Sequence, residues 1–324
     1  MTIFYGHDAA WQQFSSALAG NKLHHGWILA GPRGVGKAGF ALRAAAALVD
    51  PAGRYASMIA RGSHPDILMI KRLAKEAPKE DEAPDADAEL KRSISIDQIR
   101  ALQASLTTRP GLADKRAVII DAADDLERNG ANALLKSLEE PPVGTYFLLV
   151  SHASDRLLPT IRSRCQILRF EPLSDMDMAA ALRESAPDAG AADIADLVRA
   201  GNGAPGQALD FLGLDLGTLE DAMTSIIKTG DATNELRSGL ADQLALKAAQ
   251  ARYEAFLRRA PALIADTARQ MDAAALLPAT EAWQAASALA SRAVALSLDK
   301  QSVVFQMGSL LASLQPHKQA ARQR

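Results

Sequence analysis

Gly31-Pro32-Arg33-Gly34-Val35-Gly36-Lys37 is the segment in which residue type and spacing point most directly to chemistry. Its glycines let backbone N–H groups turn inward without side-chain obstruction, and its lysine supplies a full positive charge. Together they suit the phosphates of a nucleotide. The loop follows an apolar run, 27–30, and opens a helical pattern at Ala38. That is the strand–loop–helix setting a phosphate loop needs, and the helix amino terminus adds partial positive charge. A merely structural Gly-rich turn is the plain alternative. The hydroxyl that should follow the lysine and ligate Mg²⁺ is missing, because position 38 is alanine. A second run, 117–120, ends in Asp121, where a carboxylate at the end of a buried strand holds Mg²⁺ directly or through water. The candidate nucleotide-binding residues are therefore Gly31, Gly34, Gly36, Lys37 and Asp121, and no residue is assigned to a resident metal.

The elements that must position these residues are legible as alternating patterns. Apolar runs at 27–30, 66–70, 117–121, 146–151 and 166–170 read as five strands, separated by helix-like runs at 38–49, 96–106 and 129–138. This alternation implies an α/β domain with a parallel sheet, ending near residue 172. Beyond Pro172 the strand pattern stops. Residues 173–212 read as a small helical unit, with Gly201, Gly203, Pro205 and Gly206 marking a helix-to-helix turn. Residues 213–324 read as all-helical with a basic tail. The segment 75–89, rich in Pro, Ala, Asp and Glu without apolar periodicity, is expected to be a solvated acidic surface loop.

Composition narrows the function classes. Lys plus Arg (36) nearly balance Asp plus Glu (38), so no global charge draws the chain to nucleic acid or anionic lipid. A direct DNA-binding module is disfavoured on that ground. The single cysteine, Cys165, excludes an intrachain disulfide and any cysteine-based metal cluster. No leader-like apolar core and no run approaching 18 apolar residues is present, and the expected location is the cytoplasm, with no membrane partner.

Two longer runs carry a resemblance. The run 132–142 (NALLKSLEEPP) and the run 158–166 (LPTIRSRCQ) resemble segments of the bacterial DNA polymerase III clamp-loader subunits, which are AAA+ proteins. With the phosphate loop, the Asp121 strand and His64-Pro65-Asp66, they cover the first domain. The resemblance implies an α/β P-loop AAA+ domain with a five-stranded parallel sheet (1–172), a helical lid (173–212) and an all-helical collar used for oligomerisation (213–324). In AAA+ ATPases the residue after the strand aspartate is a glutamate that polarises water, and here it is Ala122. Asp124 is three positions on, in the following loop or helix, and is a poor substitute. The lid run 203–209 (GAPGQAL) has Gln207 where relatives carry a phosphate-sensing arginine. The resemblance implies that Ala38 and Ala122, taken with an intact Ser163-Arg164-Cys165, favour the delta-prime branch, whose nucleotide motifs are degraded; Gln207 further weakens the case for a working site, and residual ATP or ADP binding stays open. Relatives also carry a four-cysteine zinc module corresponding to 50–63. No cysteine stands there, so no zinc is expected.

The resemblance implies that Arg164, within Ser163-Arg164-Cys165, reaches ATP held by a neighbouring subunit as an arginine finger in trans. A planar, permanently charged fork suits developing phosphate charge. The plain alternative is a surface arginine paired with a helix end. Cys165 reads as a small buried apolar residue, and Ser151 as either a phosphate sensor or a simple strand-end serine. His24, His25 and His152 lack metal spacing, and Lys136, Glu139 and Glu140 read as covering a helix end before Pro141-Pro142. The partners implied are gamma or tau and delta in a hetero-pentameric ring, the sliding clamp, and primer-template DNA indirectly. The competing expectation is an active gamma- or tau-like ATPase.

Overall fold

The computed structural model describes residues 5–20, 22–75 and 90–315. The acidic segment from 76 to 89 and the basic tail from 316 lie outside the described residues. The chain divides into two compact units, Met1–Pro187 with Gly201–Gln207, and Asp188–Ala200 with Ala208–Arg324.

The first unit is built on β1 (Gly26–Ala30), β2 (Ile67–Lys71), β3 (Arg116–Asp121), β4 (Thr145–Ser151) and β5 (Gln166–Arg169). They form one sheet in the order β2-β3-β4-β1-β5, with every pairing parallel. Parallel strands covered on both faces read as continuous apolar runs, which is why the strands are so visible in the sequence. β1 is buried along its whole length. The helices are α1 (Asp8–Ala19), α2 (Lys37–Val49), the short α3 (Ala56–Ala60), α4 (Ile96–Ser105), α5 (Arg128–Glu139), α6 (Pro159–Arg162) and α7 (Asp175–Ser185). α1 and α2 contribute an aromatic cluster in which Phe14 meets Trp27 and Phe40 edge-on. α4 and α5 seal another core, packing Ile99, Leu102, Leu134 and Leu138 with Val118, Ile120, Phe147 and Leu149.

Two buried charges close loops around this sheet. Asp66, fully buried, accepts the N–H groups of Gly111 (2.6 Å), Leu112 (2.8 Å) and Ala113 (2.9 Å). Burial pushes its carboxyl upward, but these three donors outweigh burial and hold it below the ordinary carboxylate value. Arg116 donates to the carbonyls of Ser105 (2.9 Å), Thr108 (3.1 Å) and Arg109 (3.0 Å), satisfying the carboxyl end of α4.

In the second unit lie most of α8 (Ala191–Gly201), the end of α9 (Pro205–Leu209), and α10 (Leu216–Thr229), α11 (Glu235–Ala245), α12 (Gln250–Ala268), α13 (Ala273–Ala295) and α14 (Lys300–Ala312). α11 packs on α14 and α12 on α13. The inward residues of α13 include Ala279, Ala282, Ala286 and Ala293, small enough for close helix approach. Arg259, almost fully buried, pairs with Glu220 at 2.7 Å and donates to Ala200 O at 3.3 Å. Among the described residues no helix is long and apolar enough to cross a membrane.

Asp66→Ala removes the shared acceptor of three amides on a loop whose residues 111 and 112 are exposed to water, and is expected to cost roughly 1–3 kcal/mol in urea unfolding. Because the folded-state pKa is depressed, the carboxylate's contribution is complete above the unfolded value and disappears as pH falls through the folded one. The stability gap between wild type and variant should therefore narrow in acid. A gap that is small at neutral pH, or independent of pH, contradicts this account of the loop.

Candidate functional site

The loop between β1 and α2 is held by protein donors at five successive carbonyls. Lys37, only 3% exposed, turns its ammonium back onto Gly31 O at 2.6 Å and onto Pro32 O. Gln207 Nε2 donates to Arg33 O at 2.6 Å, and Gly206 N–H to Gly34 O at 2.8 Å. His7, buried before α1, donates Nε2–H to Val35 O at 2.9 Å. Gly34 has φ of +83°, and a Cβ there would lie 2.8 Å from Gln207 N, so the loop and the start of α9 meet backbone to backbone. A Cβ on Gly31 would fall 2.1 Å from Phe170 O. Gly36 is the residue preceding α2, at its N-cap.

Asp121 closes β3, and burial raises its carboxyl above the ordinary value against the pull of His152 and Lys37. Burial likewise lowers Lys37 to about 8, with Asp124 and Asp121 acting in the opposite direction. Asp124 lies in a single 3-10 turn, residues 123–125, and takes a more definite role than its sequence position suggests. Its carboxylate accepts Ser151 Oγ–H at 2.8 Å, His152 N–H at 2.6 Å and Ala153 N–H at 3.2 Å, tying the end of β4 to the turn after β3. Both oxygens are thus engaged. Ser151, fully buried, is the side-chain donor in that tie. Ala38 is exposed and Ala122 buried, and neither offers an oxygen.

Arg164 belongs to the opposite end of the sheet. Trp27 pairs with Gln166 at the start of β5, so Ser163-Arg164-Cys165 adjoins the amino end of β1 while the phosphate loop leaves its carboxyl end. At about 3.3 Å per residue, β1 separates them by roughly 15 Å. The structure thus brings Lys37 and Asp121 into one electrostatic cluster and keeps Arg164 apart from it. The Arg164 side chain is about one-third exposed. Its Nη2 pairs with Glu139 at 2.7 Å, and its Nη1 donates to Thr160 O at 2.9 Å and Ser163 Oγ at 3.2 Å. Cys165, next in sequence, is partly buried against the core, and burial pushes its thiol up to about 12, as befits a small apolar residue and not a nucleophile. His24 and His25 stack on each other, and His25 donates to Leu138 O at 2.9 Å. His7 and Arg116 have no local sequence pattern that announces them, and Asp66, Glu139 and Arg164 stand in runs that carry the resemblance without naming the partners they find in the fold.

A P-loop after β1, an aspartate closing β3 and the order β2-β3-β4-β1-β5 define an AAA+ fold. The model of the DNA polymerase III, delta subunit family matches residues 6–174, just over half of the 324 residues, and the chain belongs to that family. It is similar to DNA polymerase III subunit delta' of Pseudomonas aeruginosa, 39% identical over 48% of this chain and 46% of that protein. It is also similar to subunit delta' of Bacillus subtilis, 33% identical over 49% and 45%. These matches span a little under half of the length of each relative. A DNA polymerase III gamma subunit-related protein of Thermotoga maritima shares the fold, with a TM-score of 0.50 and 16% identity over 93% of this chain and 98% of that one.

The Lys37 amine binds its proton less tightly in the folded chain than in the unfolded one. Between about 8 and the ordinary 10.5 the unfolded state carries more protons, so stability contributed at this site rises with pH. Relative to Lys37→Met, the wild type should gain roughly 2 kcal/mol in unfolding free energy between pH 7.5 and 10. A difference that is flat with pH, or that falls, would show that Lys37 keeps its ordinary affinity for the proton.

Proposed function

We propose that this chain is a delta-prime-like subunit of the DNA polymerase III clamp loader that does not hydrolyse nucleotide itself and supplies Arg164 in trans to a neighbour's ATP. The observation that carries the reading is the polarity of the sheet. An arginine roughly 15 Å from its own phosphate loop cannot serve that loop, yet it is one-third exposed and ends in the bidentate donor geometry suited to phosphate. The family membership and the delta' relatives support the same assignment. Ala38 and Ala122 remove the metal-ligating hydroxyl and the water-polarising carboxylate. Lys37 is bonded to its own loop, and Gln207 to Arg33 O. These features support a site with no turnover, whether or not ATP or ADP binds; neither a nucleotide nor zinc is required in this reading.

The division proposed is an AAA+ domain over 1–172, a lid over 173–212 and a collar over 213–324. The subunit would sit in a hetero-pentameric ring with gamma or tau and delta. There it would help load the sliding clamp on primed DNA in the cytoplasm, touching DNA only through the assembly.

The test reconstitutes the ring with wild-type or Arg164→Ala subunit at equal assembly and measures clamp- and DNA-dependent ATP hydrolysis. An arginine finger contributes roughly 10³–10⁵ in rate at the site it serves. Other sites in the ring make the net fall smaller. Arg164→Lys should rescue poorly, since a point charge lacks the fork. Unchanged turnover with Arg164→Ala refutes the trans role. Sustained Mg²⁺-dependent ATP hydrolysis by the chain alone, abolished by Lys37→Ala, instead identifies a gamma- or tau-like motor.

A further inference from the structure

We propose that Glu139 is a positioning residue for Arg164, holding the guanidinium against its own subunit until phosphate oxygens from a neighbour displace the carboxylate. The inference rests on the trans role of Arg164 and adds the control of that contact. Both partners stand on fixed backbone. Arg164 N–H donates to Ile161 O at 3.1 Å. A Cβ on Gly26 would fall 2.9 Å from Cys165 Sγ and 3.2 Å from Arg164 O, so β1 presses directly on the Ser-Arg-Cys segment. Glu139 is the last residue of α5, and the residue before it, Leu138, is buried with its carbonyl held by His25. Two rigid mounts therefore meet through one ion pair of 2.7 Å, between side chains that are 34% and 49% exposed.

That geometry suits an exchange. The carboxylate offers Arg164 anionic oxygen acceptors of the kind that a phosphate also offers, and it occupies Nη2 while Thr160 O and Ser163 Oγ occupy Nη1. A half-exposed ion pair shifts an equilibrium by at most about fivefold. It is weak enough for a more highly charged phosphate to displace, yet strong enough to bias where the arginine rests. Once displaced, the carboxylate stays close to the incoming phosphate, and like charges repel. Both effects set a threshold that the neighbour's nucleotide must exceed before Arg164 engages it.

Glu139→Gln keeps the volume and removes the charge. In the reconstituted ring it is expected to raise ATP turnover measured without clamp and DNA. The ratio of stimulated to unstimulated turnover then falls by about two- to fivefold. Glu139→Asp, which keeps the charge, should return the ratio towards wild type. On an Arg164→Ala background Glu139→Gln should have no effect on the ratio, an outcome a merely structural role for Glu139 does not produce. The two hypotheses separate cleanly. If Arg164→Ala itself leaves stimulated turnover unchanged, the trans role fails and this proposal with it. If Arg164→Ala lowers turnover while Glu139→Gln leaves the ratio unchanged or raises it, only the role of Glu139 is overturned. An equal effect of Glu139→Gln on both backgrounds overturns it as well.

Discussion

A backbone carbonyl that leaves water must find a donor, and in the β1–α2 loop this requirement organises much of the first unit around it. Carbonyls 31 to 35 draw donors from α2, from the segment ahead of α1 and from the start of α9. Three parts of the chain far apart in sequence are thereby fixed to one short loop. The arrangement has an electrostatic consequence. Lys37 is enclosed by its own loop, and burial lowers its hold on a proton, so the ammonium is retained at some cost in stability. A phosphate entering the loop would have to compete with carbonyls that already satisfy that ammonium.

The direction of the sheet then sorts the chemistry into two ends. Five parallel strands send the phosphate loop, Asp121 and the Asp124–Ser151 tie to their carboxyl ends. The same parallel order puts Ser163-Arg164-Cys165, the His24–His25 stack and the end of α5 at the amino ends. A change at one end can therefore leave the other intact. Alanine at positions 38 and 122 does nothing to the partly buried thiol of Cys165 or to the close contact of β1 with Arg164 O. The proposed division of labour, a silent nucleotide loop and an outward-acting arginine on one domain, follows from that separation.

Much of this was legible in the sequence because it is encoded locally. All five strands were visible as apolar runs and α2, α4 and α5 as periodic ones, since the inner strands of a parallel sheet are buried on both faces, whereas the short α3 and α6 offer too few residues to show a period. The strand order was not legible, because nothing in a run's composition names its neighbour. The same limit hid the pairings that build the site. Asp124 with Ser151, His7 with Val35 and Asp66 with Gly111 each join residues dozens of positions apart by one polar contact, with no periodicity on either side. Arg164 illustrates both cases. Its motif is readable and so is a helix end that could pair with it, but the identity of Glu139 is set by the fold.

The phosphate loop's own glycines are the point at which sequence and structure pull apart most instructively. In a sequence they speak for nucleotide, because glycine leaves room for phosphate. In the fold two of them are demanded by protein neighbours alone. Gly31 faces Phe170 O at a distance that no side chain survives, and Gly34 combines a left-handed backbone with direct contact to the backbone of Gln207. Replacing either would strain the domain whether or not a nucleotide ever enters. These glycines therefore testify to the packing of the AAA+ domain and not to its occupancy. Lys37 is different, because no packing requirement calls for a buried ammonium where a methionine would fill the same space without the desolvation cost. Its bonds to Gly31 O and Pro32 O turn that charge to holding the loop together.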